Sequence, residues 1–272
     1  MTSNWKIFAS TEEIFAALTA QLVALSARQA HISLSGGSTP QGWFRMLAQP
    51  AHAAAVRWEN LHFWWGDERC VPPDDEESNF GTAQRLLLAH VPLPPGNIHR
   101  IRGEDRPETE ALRYAAEIRQ YVPVGATGLP SFDWVLLGMG DDGHTASLFP
   151  GQANFAEPDL TVLVQHPVSG QKRISKSAAL LMAGQRVDYL VTGAGKAVLV
   201  RDIHEMDTNP EARAQSPWPA ARILSLHGES TWYLDPSAAS LILKSSPQRR
   251  EGTKIAKETK ACEPLLAHPK GE

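Results

Sequence analysis

Residues 132–144, FDWVLLGMGDDGH, pass from an apolar run into a turn that contains three glycines, two aspartates and a histidine. Such an apolar run, rich in branched and aromatic side chains, is typical of a β-strand that is buried on both faces. Three other stretches repeat this sequence of strand and glycine-containing loop. They are residues 31–40 (HISLSGGSTP), 62–72 (HFWWGDERCVP) and 188–197 (DYLVTGAGKA). The four stretches together predict a sheet in the interior of the molecule.

Helical patterns separate these predicted strands. Ser10 and Glu13 have the spacing of a capping box, and Ser78 can cap a helix that continues to His90. Residues 107–122 have the pattern of an amphipathic helix. Its predicted apolar face comprises Leu112, Ala115, Ala116 and Ile118. Alternating apolar strands and helices predict a three-layer αβα sandwich with a mostly parallel sheet.

The domain organisation follows from length and composition. With 272 residues, of which 42% are hydrophobic, the chain can bury a sizeable core, and residues 1–241 are predicted to form one α/β domain. Residues 242–272 are polar, charged and weakly periodic, so we expect a disordered tail with a short helix around residues 254–261.

Charge and cysteine content restrict the classes of partner and compartment. The formal net charge of -4 offers no basic surface, which argues against nucleic acids and anionic membranes and favours a small-molecule ligand. Two cysteines are too few for a disulfide framework. Neither a secretory leader nor a membrane-spanning run is recognisable, so we expect a cytoplasmic protein. Nothing in the sequence determines the oligomeric state, and a monomer is the default expectation.

The loops after parallel strands meet at one edge of a sheet, where ligands bind. Gly36, Gly37, Ser38 and Thr39 precede a predicted helix, and their backbone N–H groups and hydroxyls can cradle an anion, although the same residues could form only a tight turn. The loop lacks the Gly-Lys-Ser/Thr of a nucleotide P-loop, and no GxGxxG pattern is present. The sequence therefore implies no nucleotide cofactor.

His144 is the strongest candidate for a catalytic group. Histidine side chains ordinarily titrate near pH 6.5 and can accept a proton at neutral pH. Asp142, two residues earlier, can fix the imidazole tautomer and raise its basicity, and Gly140 and Gly143 allow the close backbone approach that such a turn requires. The turn is predicted to present a base and its orienting acid to a ligand.

Other charged residues of these loops have two interpretations. Asp67 and Arg69 belong either to a solvated loop or to the wall of a ligand crevice, because they follow a strand that ends at this edge. Lys196 is either a surface lysine or a phosphate contact near a helix start, and Arg173 could reach the same anion.

Several motifs in order resemble the 6-phosphogluconolactonase family. They are SLSGGSTP, DERCVPPDDEESNFG, LLGMGDDGHTASLFPG, RIS and LVTGAGKA, within residues 5–240. The resemblance implies a Rossmann-like fold and cofactor-independent hydrolysis of 6-phospho-D-glucono-1,5-lactone to 6-phosphogluconate, the second step of the oxidative pentose phosphate pathway. It also implies roles for the matched residues: His144 as general base, Asp142 as its orienting group, Asp67 as a sugar contact, and Arg69, Arg173, Lys196 and Gly36 to Thr39 as phosphate contacts. A backbone N–H of the glycine turn, a lysine or an arginine could stabilise the oxyanion.

Two alternative functions share part of this pattern. The related amino-sugar-phosphate isomerases share the Asp-Gly-His turn but carry a glutamate five residues after the histidine, where this chain has Phe149. A protein that binds sugar phosphates without turning them over is a second alternative. The chain has no Gly-x-Ser-x-Gly elbow and no HExxH or CxxC metal pattern. Two segments depart from the family pattern: Gln171-Lys172 stands before Arg173, and Arg222 lies in a segment that is usually more apolar.

Overall fold

In residues 3–245, the part of the chain that this computed structural model describes, the strands form a large parallel sheet and a small antiparallel one. The strands are β1 (Asn4–Ile7), β2 (Ala30–Leu34), β3 (Leu61–Trp65), β4 (Asp67–Arg69), β5 (Ile98–His99), β6 (Trp134–Leu137), β7 (Thr161–Gln165), β8 (Lys172–Lys176), β9 (Arg186–Val191) and β10 (Glu229–Leu234). The α-helices are α1 (Thr11–Leu25), α2 (Ser38–Leu47), α3 (Pro50–Ala53), α4 (Asn79–Leu86), α5 (Pro107–Tyr121), α6 (Ala178–Met182), α7 (Ala197–Glu205), α8 (Pro210–Ala214), α9 (Pro219–Arg222) and α10 (Ser240–Ser245).

The large sheet has the strand order β1-β10-β9-β6-β2-β3-β5, and every pair in it is parallel. Helices flank the sheet, so the predicted α/β class with a mostly parallel sheet is confirmed. Strands β2, β3 and β6 are buried along their whole length, as their largely apolar sequences predict.

The site is positioned by the neighbouring strands β2 and β6. The chain leaves β2 toward β3 on one side of this pair, and it leaves β6 toward β9 on the other. Two adjacent strands whose connections run in opposite directions open a crevice at their carboxyl ends. The loops after β2 and β6, which hold the predicted anion cradle and the histidine turn, border that crevice.

Local capping signals set the helix starts. The Ser10 hydroxyl accepts the backbone N–H of Glu13 at 3.3 Å, and the Ser78 hydroxyl accepts that of Gly81 at 2.9 Å. Both helices therefore begin where the cap residues predict. The second is shorter than expected, because the α-helix ends at Leu86 and a 3₁₀ turn continues to His90.

Two expectations from the sequence are wrong. The loop after β3 was expected to be irregular, but Asp67–Arg69 pairs with β8 and so joins an antiparallel sheet of β4, β8 and β7. Helix α5 is rotated relative to the predicted face, since Leu112 is 71% exposed while Ala111 and Tyr114 are buried. The tyrosine turns the helix because its hydroxyl bonds both backbone groups of Trp65, at 3.0 and 2.9 Å.

Most of the predicted C-terminal tail, including its possible helix at residues 254–261, lies outside the described residues. The last described helix, Ser240–Ser245, spans the predicted boundary at residue 241, and Ile242 is buried. Among residues 3–245, no helix is both long and apolar enough to cross a membrane.

One lysine, Lys176, lies in the core of the molecule rather than on its surface. Its side chain is fully buried, with Nζ 2.7 Å from the Ser33 hydroxyl and 3.6 Å from the centroid of the Phe132 ring. Burial lowers the pKa of this amine well below its usual value. An amine with one hydrogen-bonding partner in an apolar interior reduces stability unless it is neutral.

Lys176 should make the free energy of unfolding of the wild type depend on pH. We expect the double variant Lys176→Met with Ser33→Ala to lose this dependence. Because the folded-state pKa is lowered, the unfolded chain binds the extra proton between that pKa and about 10.4, so wild-type stability rises with pH in this window. One such proton contributes up to about 1.4 kcal/mol per pH unit. Urea unfolding from pH 7 to 10 measures the slope.

Lys172→Met is the matched control, because Lys172 lies on the same strand with a side chain that is 64% exposed. This variant should keep the wild-type slope. Equal slopes in wild type and the double variant would contradict the assignment of the buried amine.

Candidate active site

The turn after β6 holds a histidine and an aspartate in direct contact. Nδ1 of His144 lies 2.6 Å from Oδ1 of Asp142, and the backbone N–H of His144 donates to the same oxygen at 3.1 Å. A carboxylate only accepts, so Nδ1 carries the proton and Nε2 of the neutral ring is the basic nitrogen. Within the described residues Nε2 has no hydrogen-bonding partner.

Two glycines make this turn possible. A Cβ on Gly140 would overlap the His144 ring. Gly143 has φ +82°, and a Cβ there would lie 2.6 Å from the Trp218 side chain. The N–H groups of both glycines are already used: Gly140 donates to the His144 carbonyl at 2.9 Å and Gly143 to the Gly140 carbonyl at 3.1 Å. Neither of these two N–H groups is free to stabilise an oxyanion, whereas the lysine and arginine candidates line the cleft.

The pKa of Asp142 reflects its contact with the histidine. Partial burial acts to raise this pKa, but the hydrogen bonds and charge of His144 outweigh burial and lower it. Asp142 is therefore ionised at neutral pH and favours the Nδ1–H tautomer of its partner. The carboxylate contacts the imidazole but does not itself line the cleft.

A cleft of about 310 Å³ opens between the loops that follow β2, β3, β6 and β9, a volume suited to a small molecule. All the predicted site residues except Asp142 line it. Those residues are Gly36, Gly37, Ser38, Thr39, Asp67, Arg69, His144, Arg173 and Lys196. The structure thus brings together four loops that are far apart in the chain.

The N-terminus of α2 forms one wall of the cleft. Gly37 occupies the cap position with φ +102°, and no side chain bonds to the first-turn N–H groups. These groups and the helix dipole therefore remain open to an anion. The neighbouring Gly36 allows close packing, because a Cβ there would overlap the amide of Asn79.

Two arginines also line the cleft. Arg69 on β4 and Arg173 on β8 are register partners in the small antiparallel sheet. Burial, and then the charge of Arg69, lower the pKa of Arg173. Two guanidinium groups held side by side repel each other, so an anion between them is stabilised by both charges. Neither arginine forms an ion pair with a carboxylate of the described residues.

Gln171 orients Arg173, a role that only the structure reveals. Its side-chain oxygen accepts Nε of Arg173 at 3.3 Å, while its amide donates to Glu77 at 2.8 Å. The Glu77 carbonyl in turn accepts a hydrogen bond from Arg69. Gln171, which departs from the family pattern, therefore connects Arg173 to the loop at Glu77 that also binds Arg69.

The remaining candidates are held by partners that the sequence did not suggest. Lys196 forms an ion pair with Asp141, whose side chain is largely exposed. Asp67 is buried, and its carboxylate accepts the Ser147 hydroxyl at 2.6 Å and the Asn79 amide at 3.4 Å. Asn79 and Ser147 lie inside two of the motifs quoted above, which is the only signal that could have identified them.

The described residues include no group of three or more histidine, cysteine, aspartate or glutamate side chains that could hold a metal ion. The cleft is lined by three cationic side chains, by the open N-terminus of α2 and by the His144 imidazole. This arrangement can bind an anionic substrate and deprotonate a water molecule beside it.

Comparison with known proteins gives consistent results. Residues 6–232 match the family model for glucosamine-6-phosphate isomerases/6-phosphogluconolactonase. The 6-phosphogluconolactonase of Aggregatibacter actinomycetemcomitans is 50% identical over 213 residues, which are 78% of this chain and 88% of that protein. The enzyme of the same name from Haemophilus influenzae is 50% identical over 212 residues, 78% and 87% of the two chains. The crystal structure of the devB protein superposes with a TM-score of 0.83 at 50% identity and covers 88% of this chain and 99% of its own.

Proposed function

The chain belongs to the family of glucosamine-6-phosphate isomerases and 6-phosphogluconolactonases, and we propose that it hydrolyses 6-phospho-D-glucono-1,5-lactone to 6-phospho-D-gluconate with His144 as the general base. Relatives that are half identical over most of the chain bear the name of this lactone hydrolase, so the chain is an enzyme of the carboxylic ester hydrolases that acts in the oxidative pentose phosphate pathway. The observation that carries the residue assignment is the His144 ring, held by Asp142 in the cleft that also contains Arg69 and Arg173.

The proposed reaction begins with a water molecule hydrogen-bonded to Nε2 of His144. As the water oxygen attacks the lactone carbonyl carbon, Nε2 takes its proton and the carbonyl oxygen becomes an oxyanion. Asp142 stabilises the imidazolium that forms. When the carbonyl re-forms, the bond to the ring oxygen breaks, and the imidazolium returns the proton to that oxygen. The product acid then releases its own proton to solvent.

The phosphate group is proposed to occupy the cationic end of the cleft. It carries about 1.5 to 2 negative charges at neutral pH, which Arg69, Arg173, Lys196 and the N-terminus of α2 complement. To bind the phosphate, Lys196 must break its ion pair with Asp141. Asp67, whose carboxylate is held by Ser147, is proposed to contact the sugar.

The isomerase alternative lacks its acid–base group. Phe149 occupies the position five residues after His144, and the two ring centroids are 4.8 Å apart. An apolar ring that is 1% exposed cannot transfer a proton, and it also supports Arg173, whose guanidinium lies 5.7 Å from the ring centroid. These contacts favour lactone hydrolysis, which requires only the histidine.

We further propose that the enzyme acts as a cytoplasmic monomer. The low cysteine content supports a reducing compartment.

A coupled assay tests the proposed function. With freshly prepared 6-phosphogluconolactone and excess 6-phosphogluconate dehydrogenase, the enzyme should accelerate NADPH formation above the spontaneous rate. It should release no ammonia from glucosamine 6-phosphate. Ammonia release would favour the isomerase, and a lactone rate equal to that of buffer would favour a protein that only binds sugar phosphates.

A further inference from the structure

A second cavity lies apart from the catalytic cleft. Its volume is about 330 Å³, and it shares no lining residue with the cleft. Apolar side chains form most of its wall: Phe155, Met182, Pro210, Ala214 and Leu224. Two arginines, Arg213 and Arg222, complete it. A concave, mainly apolar surface with a few charged groups is typical of small-molecule sites.

The two arginines differ in how their charges are satisfied. The guanidinium of Arg213 pairs with Asp207 and also donates to the Ser3 hydroxyl at 3.3 Å. Arg222 has no carboxylate or carbonyl partner among the described residues. Its guanidinium carbon lies 3.5 Å from the centroid of the Phe155 ring, and burial lowers its pKa. The cavity therefore holds one uncompensated positive charge.

The environment of Arg222 determines which ligand would suit it. A guanidinium stacked on an aromatic face keeps the N–H groups at its edge available, and these match the two oxygens of a carboxylate. A sugar phosphate needs several cations and hydroxyl partners, which this cavity does not offer. An apolar body attached to a single carboxylate can bury itself against Met182 and Leu224 while its charge pairs with Arg222.

We propose that this cavity is a second binding site, selective for small organic monoanions with an aromatic or aliphatic body. Arg222 supplies the charge contact and the apolar wall supplies the rest of the affinity.

The test uses the full chain and 4-fluorobenzoate as a probe, observed by ¹⁹F NMR. We expect saturable binding to wild type and a dissociation constant at least about tenfold higher in Arg222→Leu, because a charge-assisted contact is lost while apolar volume is kept. Arg119→Leu removes an exposed arginine of α5 and is the matched control, with wild-type binding expected. Arg222→Lys, which keeps the charge, should bind with intermediate affinity.

Two further titrations separate this site from others. Saturating 6-phosphogluconate should leave probe binding unchanged, and neutral 4-fluorobenzyl alcohol should bind more weakly than the acid. The proposal is overturned if wild type does not bind the probe, if Arg222→Leu binds it as well as wild type, if the alcohol binds equally, or if the sugar phosphate displaces the probe. Each of these results is independent of whether the lactone is the substrate.

Discussion

His144→Ala is expected to lower kcat for 6-phosphogluconolactone by about 10²–10⁴-fold, the usual contribution of a positioned general base. The reason is that Nε2 is the basic nitrogen in the cleft, with Nδ1 committed to Asp142 at 2.6 Å. Removing the ring leaves Arg69, Arg173 and the N-terminus of α2 in place, so phosphate recognition is retained. Stopped-flow coupled kinetics and calorimetric titration with 6-phosphogluconate measure the two properties separately.

Asp142→Asn is the companion variant for this prediction. It removes the charge that stabilises the imidazolium but leaves the base itself, so we expect a smaller loss of kcat than in His144→Ala. If His144→Ala retained wild-type kcat, or if it lost product binding together with activity, the proposed role of the imidazole would be wrong.

Arg173→Ala is expected to weaken recognition of the phosphate group. A charge-assisted hydrogen bond contributes about 1.5–3 kcal/mol, which corresponds to about 10–150-fold in kcat/KM. The loss should fall mainly on KM, because the arginine binds a part of the substrate that does not react. Comparing kcat/KM for 6-phosphogluconolactone and unphosphorylated glucono-1,5-lactone measures the effect, since only the first should decline.

Lys172→Ala is the control for this experiment, because Lys172 precedes Arg173 on the same strand and its side chain is largely exposed. Lys196→Ala should have a smaller effect than Arg173→Ala, since Lys196 gives up its ion pair with Asp141 when it binds the ligand. An equal decline for both lactones in Arg173→Ala would show that the arginine supports the fold or the reaction rather than the phosphate.

Some strands and helices of this protein are predictable from local sequence, and others are not. The strands β2, β3, β6 and β9 are predictable because each is a largely apolar run that a glycine-containing loop follows. Strand β4 was missed, since three polar residues carry no periodic pattern, and it pairs only because β8 arrives beside it from elsewhere in the chain. The face of α5 was misplaced because the spacing allowed two apolar stripes, and the bonds from Tyr114 to Trp65 select one of them.

The candidate site shows the same division. His144 and its partner Asp142 are two residues apart, and the glycines of the turn lie close to them in the chain. This contact can therefore be predicted from the local sequence. The sequence suggests both Arg173 and Arg69 as candidates. That they lie side by side depends on the register of β4 and β8. The hydrogen bond from Arg173 to Gln171 is likewise visible only in the structure. The ion pair of Lys196 with Asp141 and the burial of Lys176 against Ser33 were not predicted at all.

The sequence by itself determined the alternation of strands and helices, the parallel sheet, and the local turn that holds the base. Only the tertiary structure decided which cations come together in the cleft, which lysine is buried, and where the second cavity opens. The physical reason is the range of the interactions involved. Capping, turn geometry and hydrophobic periodicity act over a few neighbouring residues, whereas register and cavity shape result from packing among segments that are distant in the chain.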